Sequence, residues 1–214
     1  MLGKPVNILE LLDNKITALG CEFISKTLHP IYKPTVVILK LDHNNFGSRG
    51  VQNLSEGLAI NPSLKILSLQ YCGIDEAAAQ AIFEILIYTR SALEDINLSG
   101  NMLGNEGVKK VLHGTAVNKS LKKIWLGDNQ FNDDEDVLKA IMFCWVKNTH
   151  LMRYDFKYNI ISSEGKFISS SLIQIMFIGL QILTNCLTNE AQHVYDVEIP
   201  ERIDDKVIFK EFSD

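Results

Sequence analysis

One apolar pattern recurs along most of this chain and leaves few folds open to it. Written Φ-x-x-Φ-x-Φ-x-x-N-x-Φ, with Φ apolar, it begins with Val6, Leu9, Leu11, Asn14 and Ile16, then Val36, Leu39, Leu41, Asn44 and Phe46. The third copy, Leu64, Leu67, Leu69, Cys72 and Ile74, has cysteine in the asparagine slot. Leu93, Ile96, Leu98, Asn101 and Leu103 follow, then Leu121, Ile124, Leu126, Asn129 and Phe131, and finally Leu151, Tyr154, Phe156, Asn159 and Ile161. Steps along the asparagine column are 30, 28, 29, 28 and 30 residues. A period this constant describes one small unit repeated, each copy too small to bury its own apolar face and sealed by its neighbours.

Within each unit the spacing has a physical reading. Φ-x-Φ is a short strand whose alternate residues point inward, and the asparagine amide can bond backbone groups of adjoining turns. Cysteine fits the same slot as a small residue with a weak S–H donor. Four residues past the last Φ stand Gly20, Gly50, Ala78, Gly107, Glu135 and Gly165, small in five of six copies, as suits a helix start pressed against the strand layer. Apolar residues then recur at helical spacing, as in Val51, Leu54 and Leu58 or Val108, Val111 and Leu112. Asn61-Pro62-Ser63, Asn118-Lys119-Ser120 and Asn148-Thr149-His150 favour turns that close three of these helices.

Leu39-x-Leu41-x-x-Asn44-x-Phe46-Gly47-x-x-Gly50-Val51 and Ile96-x-Leu98-x-x-Asn101-x-Leu103-Gly104-x-x-Gly107-Val108 resemble the ribonuclease-inhibitor-like leucine-rich repeat. That family includes ribonuclease inhibitor, the Ran GTPase-activating protein, the tropomodulin repeat domain and several ciliary proteins. The resemblance covers roughly residues 6 to 180 and implies an α/β leucine-rich-repeat solenoid, a right-handed horseshoe with a parallel sheet on its concave face and helices on its convex face. It also implies protein binding. The expected division is an array over 1–183, its last helix serving as a cap, and an acidic tail or cap over 184–214.

The ends of such an array need covering. Only five residues precede Val6, which points to an upstream segment, a partner over that end, or a weak first repeat. At the other end the apolar stretch Ile168 to Leu183 contains serines, Gln174 and Gln181 and reads as a buried helix rather than a membrane span. Strands from Val194–Ile199 and Lys206–Lys210 are expected to fold over it as a cap, with a docking arm as the alternative.

Composition narrows the function classes. Apolar residues at 46% and charged residues at 22% exclude wholesale disorder. The net charge of −5 opposes binding to nucleic acid or anionic membranes by bulk charge. All of it lies in residues 188–214, where eight acids face three bases. The first residues lack a secretory signal pattern, and Cys21, Cys72, Cys144 and Cys186 show no paired spacing, so a reducing cytoplasmic setting is the simpler expectation.

Signals for chemistry are weak. Gly100, Gly104 and Gly107 follow the repeat phase and lead to no Gly-Lys-Ser/Thr. His29, His43, His113, His150 and His193 lack metal-ligand spacing. Asp133, Asp134, Glu135 and Asp136 invite calcium, yet acids at a helix N-terminus fit capping and the helix dipole better. No catalytic constellation, cofactor motif or metal site is expected.

Binding should therefore fall to side chains on the concave strands: Lys40, Asp42, His43, Gln70, Tyr71, Asn97, Trp125, Asp128, Asp155, Lys157 and Tyr158. Tyr71, Trp125 and Tyr158 stand out as aromatic anchors among charges, with packing against adjacent loops as the alternative for the two tyrosines. The leading expectation is a non-enzymatic protein-binding scaffold in a larger cytoplasmic assembly, of the cytoskeletal or ciliary kind. A regulator of a small GTPase is the alternative, and it rests on the family resemblance. An extracellular receptor ranks third, since the acceptor-like Asn97-Leu98-Ser99 lies inside a strand.

Overall fold

A computed structural model of the chain describes residues 6–161 and the backbone of Val197–Glu198, Arg202–Ile203 and Lys206–Val207. The expected helix over Glu164–Leu183, Gly165 in its small-residue slot, Cys186 and His193 lie outside the described residues.

Each copy of the pattern forms one three-residue strand: β1 (Ile8–Glu10), β2 (Ile38–Lys40), β3 (Ile66–Ser68), β4 (Asp95–Asn97), β5 (Lys123–Trp125) and β6 (Arg153–Asp155). They pair in parallel and in sequence order, and the register aligns the pattern itself: Leu9, Leu39, Leu67, Ile96, Ile124 and Tyr154 occupy one row. Between strands run α1 (Ala18–Leu28), α2 (Gly47–Leu58), α3 (Ala79–Ile87), α4 (Gly104–Val117) and α5 (Glu135–Lys147). Parallel strands need such crossovers, and 28 to 30 residues give room for them. Beyond β6 the sheet continues with β7 (Val197–Glu198), which pairs antiparallel with it, while β8 (Arg202–Ile203) and β9 (Lys206–Val207) form a separate two-stranded pair. The fold is an α/β solenoid with one apolar core running between sheet and helices.

Two ladders of asparagine bind the layers together. In the first, the buried Asn101 donates to the carbonyls of Leu69 in the preceding repeat (2.9 Å) and Leu98 in its own (2.8 Å), while its Oδ1 accepts from the N–H groups of Cys72 (3.0 Å) and Ile74 (3.1 Å). Asn44 and Asn159 bridge to Leu11 and Leu126 in the same manner. Cys72 holds the slot with its thiol aimed at the Leu41 and Gln70 carbonyls, 3.3 Å from each. The second ladder is made of the residues expected only to favour turns. Asn61, Asn118 and Asn148 each donate 2.7 Å to a carbonyl of the preceding helix (Leu28, Leu86 and Thr115) and accept from two N–H groups of their own turn.

Small residues at the helix starts have a specific cause. A Cβ on Gly50 would strike the Phe46 ring, the last Φ residue of the same repeat. Helix 5, with Glu135 in that slot, starts differently: Asp134 is its N-cap and accepts from the Asp136 N–H at 2.9 Å, while Glu135 pairs with Lys139 at 2.7 Å. The acidic run thus begins a helix, as capping predicts. Cys21, Cys72 and Cys144 are buried free thiols.

Candidate protein-binding face

The strand register sorts the concave surface into columns. One runs Glu10, Lys40, Ser68, Asn97, Trp125, Asp155, on the same face as a second, Ile8, Ile38, Ile66, Asp95, Lys123, Arg153, because residues two apart on a strand share a side. Reading the sequence between and after the inward leucines found the first of these columns and missed the second. The signal was present: residue i−2 of every chosen strand position belongs to the same face. The missed column is aliphatic over β1 to β3 and charged over β4 to β6.

Trp125 joins the two columns. Its indole N–H donates to Asp95 Oδ1 at 2.8 Å, and the Arg153 guanidinium lies 4.4 Å from its ring centroid. The ring is half-buried and held in one orientation by an acid on one neighbouring strand and a cation on the other. Fixing an aromatic side chain before binding removes an ordering cost from the encounter. Along the strand-start margin Glu94 is bridged by Lys122 (2.7 Å) and Lys65 (3.2 Å), and these cations, Lys122 foremost, hold its carboxyl below the usual range. Lys40 pairs with Glu10 at 2.8 Å, which raises its pKa.

Past the strands comes a turn in which Asp13, His43, Tyr71, Gly100, Asp128 and Tyr158 all have positive φ, between 50° and 71°. Left-handed backbone suits glycine and asparagine and costs a tyrosine of order 1 kcal/mol or more. Tyr71 stacks on His43, centroids 5.0 Å apart, and lies so close over Gly100 that any Cβ there would enter its ring, yet it stays 49% exposed. Tyr158 is 69% exposed. Tyr71 thus packs on the adjacent turns and still presents a face outward.

Other expected contact residues divide. Asp128 and His43 are exposed, and Gln70, Asn97, Lys40 and Lys157 are partly so. Asp42 and Asp155, expected on the exposed surface, are buried instead. Asp42 accepts from the Ser68 hydroxyl (2.6 Å) and the Gln70 N–H (2.8 Å), and Asp155 accepts from the Lys157 N–H (2.9 Å) and pairs with its ammonium (3.4 Å). Asp42 thus turns in to meet donors of the adjoining layer, and Asp155 turns in to meet those of its own turn. Among the described residues no cluster of His, Cys, Asp or Glu suits a metal ion, and no helix is long and apolar enough to cross a membrane.

Stacked parallel strands, outer helices and an asparagine ladder define a leucine-rich-repeat solenoid. Comparison with known proteins agrees: the "Leucine Rich repeat" family pattern matches residues 32–55, 61–83 and 92–112. Ribonuclease inhibitor of Sus scrofa is 33% identical over 110 residues, which are 50% of this chain and 23% of that protein. "NACHT, LRR and PYD domains-containing protein 14" of Mus musculus is 30% identical over 196 residues, 88% of this chain and 19% of that protein. The repeats are leucine-rich repeats of the ribonuclease-inhibitor-like kind, and the chain spans less than a quarter of the length of these two relatives. Among solved structures, the tropomodulin C-terminal domain of Caenorhabditis elegans superposes with a TM-score of 0.55 at 17% identity, covering 76% of this chain and 98% of that one. "Leiomodin-1 Actin-Binding Site 2" superposes with 0.54 at 13% identity, covering 78% and 90%. These two share the fold.

Proposed function

We propose that this chain is a non-catalytic protein-binding scaffold that takes its partner on the concave face, as a subunit of a cytoskeletal or ciliary assembly. The observation that carries the proposal is the Asp95–Trp125–Arg153 cluster, an aromatic anchor immobilised among charges at the centre of the charged half of the sheet. Aromatic and arginine side chains dominate the energetics of protein interfaces. Around it, Lys40, His43, Gln70, Tyr71, Asn97, Asp128, Lys157 and Tyr158 make the polar and aromatic rim. Asp42 and Asp155 act behind that surface by fixing Ser68, Gln70 and Lys157.

Actin is the first partner to try, because one structure of the same fold is named for an actin-binding site. Binding of monomeric and filamentous actin, and of any protein that co-purifies with the full chain, is compared between the native protein and Trp125→Ala. The substitution is expected to weaken binding by more than about 1 kcal/mol, several-fold in Kd, while leaving the melting temperature near its native value. A partner that binds Trp125→Ala and Arg153→Ala as tightly as the native chain removes the concave face from consideration. Faster GTP hydrolysis by a small GTPase in the presence of the chain would replace the scaffold reading with the regulator reading.

A further inference from the structure

The strand-start side of the sheet carries an excess of positive charge between β3 and β6. Lys65, Lys119, Lys122, Lys123 and Arg153 stand there against two acids, Glu94 and Asp95. Both acids are already engaged: Glu94 is bridged by Lys65 and Lys122, and Asp95 accepts the indole N–H of Trp125. Lys119 and Lys123 are exposed and make no ion pair among the described residues. Their place follows from the fold. Lys119 belongs to the turn in which Asn118 accepts from the N–H groups of Ser120 and Leu121, and the Ser120 hydroxyl ties that turn to the Leu93 carbonyl of the preceding layer at 2.9 Å. Lys123 begins β5 two residues before Trp125, so both side chains share the concave face.

The opposite margin of the same repeat has the opposite sign. Asp128 lies in the turn after β5, and Asp133, Asp134, Glu135 and Asp136 lead into α5. A potential therefore runs across the sheet, positive at the strand starts and negative at the strand ends. From strand to strand the face also changes from aliphatic to charged, since Ile38 and Ile66 precede Asp95, Lys123 and Arg153 in one registered column.

Building on the concave-face reading, we propose that this face takes a protein segment of two blocks, its acidic residues over Lys119, Lys122 and Lys123 and its aliphatic residues over Ile38 and Ile66. Adjacent strands lie about 4.8 Å apart, so β2 to β5 measures about 14 Å, a length that about ten helical or about five extended residues cover. Carboxylates of such a segment meet the cations that pairing within the chain leaves over, and its aliphatic side chains remove Ile38 and Ile66 from water. A nucleic acid fits the surface less well, because its phosphates are charged throughout and offer nothing to the aliphatic half.

The test uses the full chain and a fluorescein-labelled synthetic peptide in which a leucine-rich block precedes a glutamate-rich block, with binding read by fluorescence anisotropy over a range of salt concentrations. The native chain is expected to bind it, more tightly at low salt. Combining Lys119→Glu with Lys123→Glu should weaken binding about tenfold and shift the preference toward a peptide with lysine in place of glutamate. Neither residue makes an ion pair, so the circular dichroism spectrum should stay unchanged. Ile66→Thr should weaken binding of the two-block peptide and spare that of a peptide with the glutamate-rich block alone. Arg49→Glu, an exposed cation at the start of α2, should change neither. Four results overturn the proposal: no binding of the peptide, binding indifferent to the lysine reversal, tighter binding of single-stranded RNA or of vesicles of phosphatidylserine and phosphatidylcholine, or self-association of the chain that the lysine reversal abolishes. A native partner that is lost in Trp125→Ala and retained in the lysine variant would overturn this chemistry alone and leave the concave face as the docking surface.

Discussion

Replacing Asn101 by alanine should cost the fold about 3 to 5 kcal/mol, because it strands the buried N–H groups of Cys72 and Ile74 and the carbonyl of Leu69 together, at roughly 1 to 3 kcal/mol per unsatisfied group, while the Leu98 carbonyl keeps the Asn129 amide as a donor. A domain of this size is stable by only about 5 to 15 kcal/mol in total. Urea unfolding followed by circular dichroism should show the midpoint drop accordingly. Asn14→Ala provides the contrast. Its amide is exposed and bonds the Leu12 carbonyl of its own turn, so the same substitution should change stability by less than about 1 kcal/mol. Equal losses at the two positions would show that the ladder contributes no more than its individual side chains.

Alkali should unfold the chain well before its lysines have all discharged. Burial pushes the thiols of Cys21, Cys72 and Cys144 up to about 12 from an ordinary value of 9.0. The folded state therefore keeps these protons over a range in which the unfolded chain releases them. Their stabilising contribution is complete below pH 9 and is lost progressively as the pH rises from 9 toward 12. In that window each thiol should lower stability by about 1.4 kcal/mol per pH unit, so three together give a slope of about 4. Tyr154, its phenol driven up by burial and by neighbouring Cys144, adds to the loss at the upper end. Stability measured by urea titration at successive pH values reads this slope directly. Cys21→Ala should reduce it by about a third of the thiol contribution, whatever it does to the stability at neutral pH. A flat profile from pH 9 to 11 would show that these thiols ionise as freely folded as unfolded.

The strand core of the fold could be read before any coordinates because its signal is periodic. Leu39, Leu67, Ile96 and Ile124 share a row since the same side-chain type recurs at the same phase, and one register satisfies them all. The asparagine of each strand turn was legible for the same reason. What escaped was tertiary in origin. Nothing local in Asn118-Lys119-Ser120 says that the Asn118 amide reaches the Leu86 carbonyl thirty-two residues back, so these residues read as ordinary turn formers. Asp42 and Asp155 read as surface acids because carboxylates usually are. The burial of Asp42 depends on where the adjoining layer presents an N–H and a hydroxyl, which a single repeat does not reveal, and that of Asp155 goes with the turn it shares with Lys157. Of the candidate face, Trp125 was visible as a residue, but Asp95 and Arg153, which fix it, were not. They precede the inward apolar residues of their strands, and only the full alternation of the strand places them beside it.

The third repeat differs from its neighbours in both ladders: it carries Cys72 in the strand turn and closes its helix with Tyr88-Thr89-Arg90. In a linear array, coupling passes only from one layer to the next, so its weakest junction governs how the whole bends. A thiol tethers less firmly than an amide, since it brings no oxygen acceptor and only a feeble donor. Elastic compliance therefore concentrates near the middle of the arc. Widening or narrowing its mouth costs least there, and a partner gripping both arms can adjust the curvature without disturbing the packing inside either one.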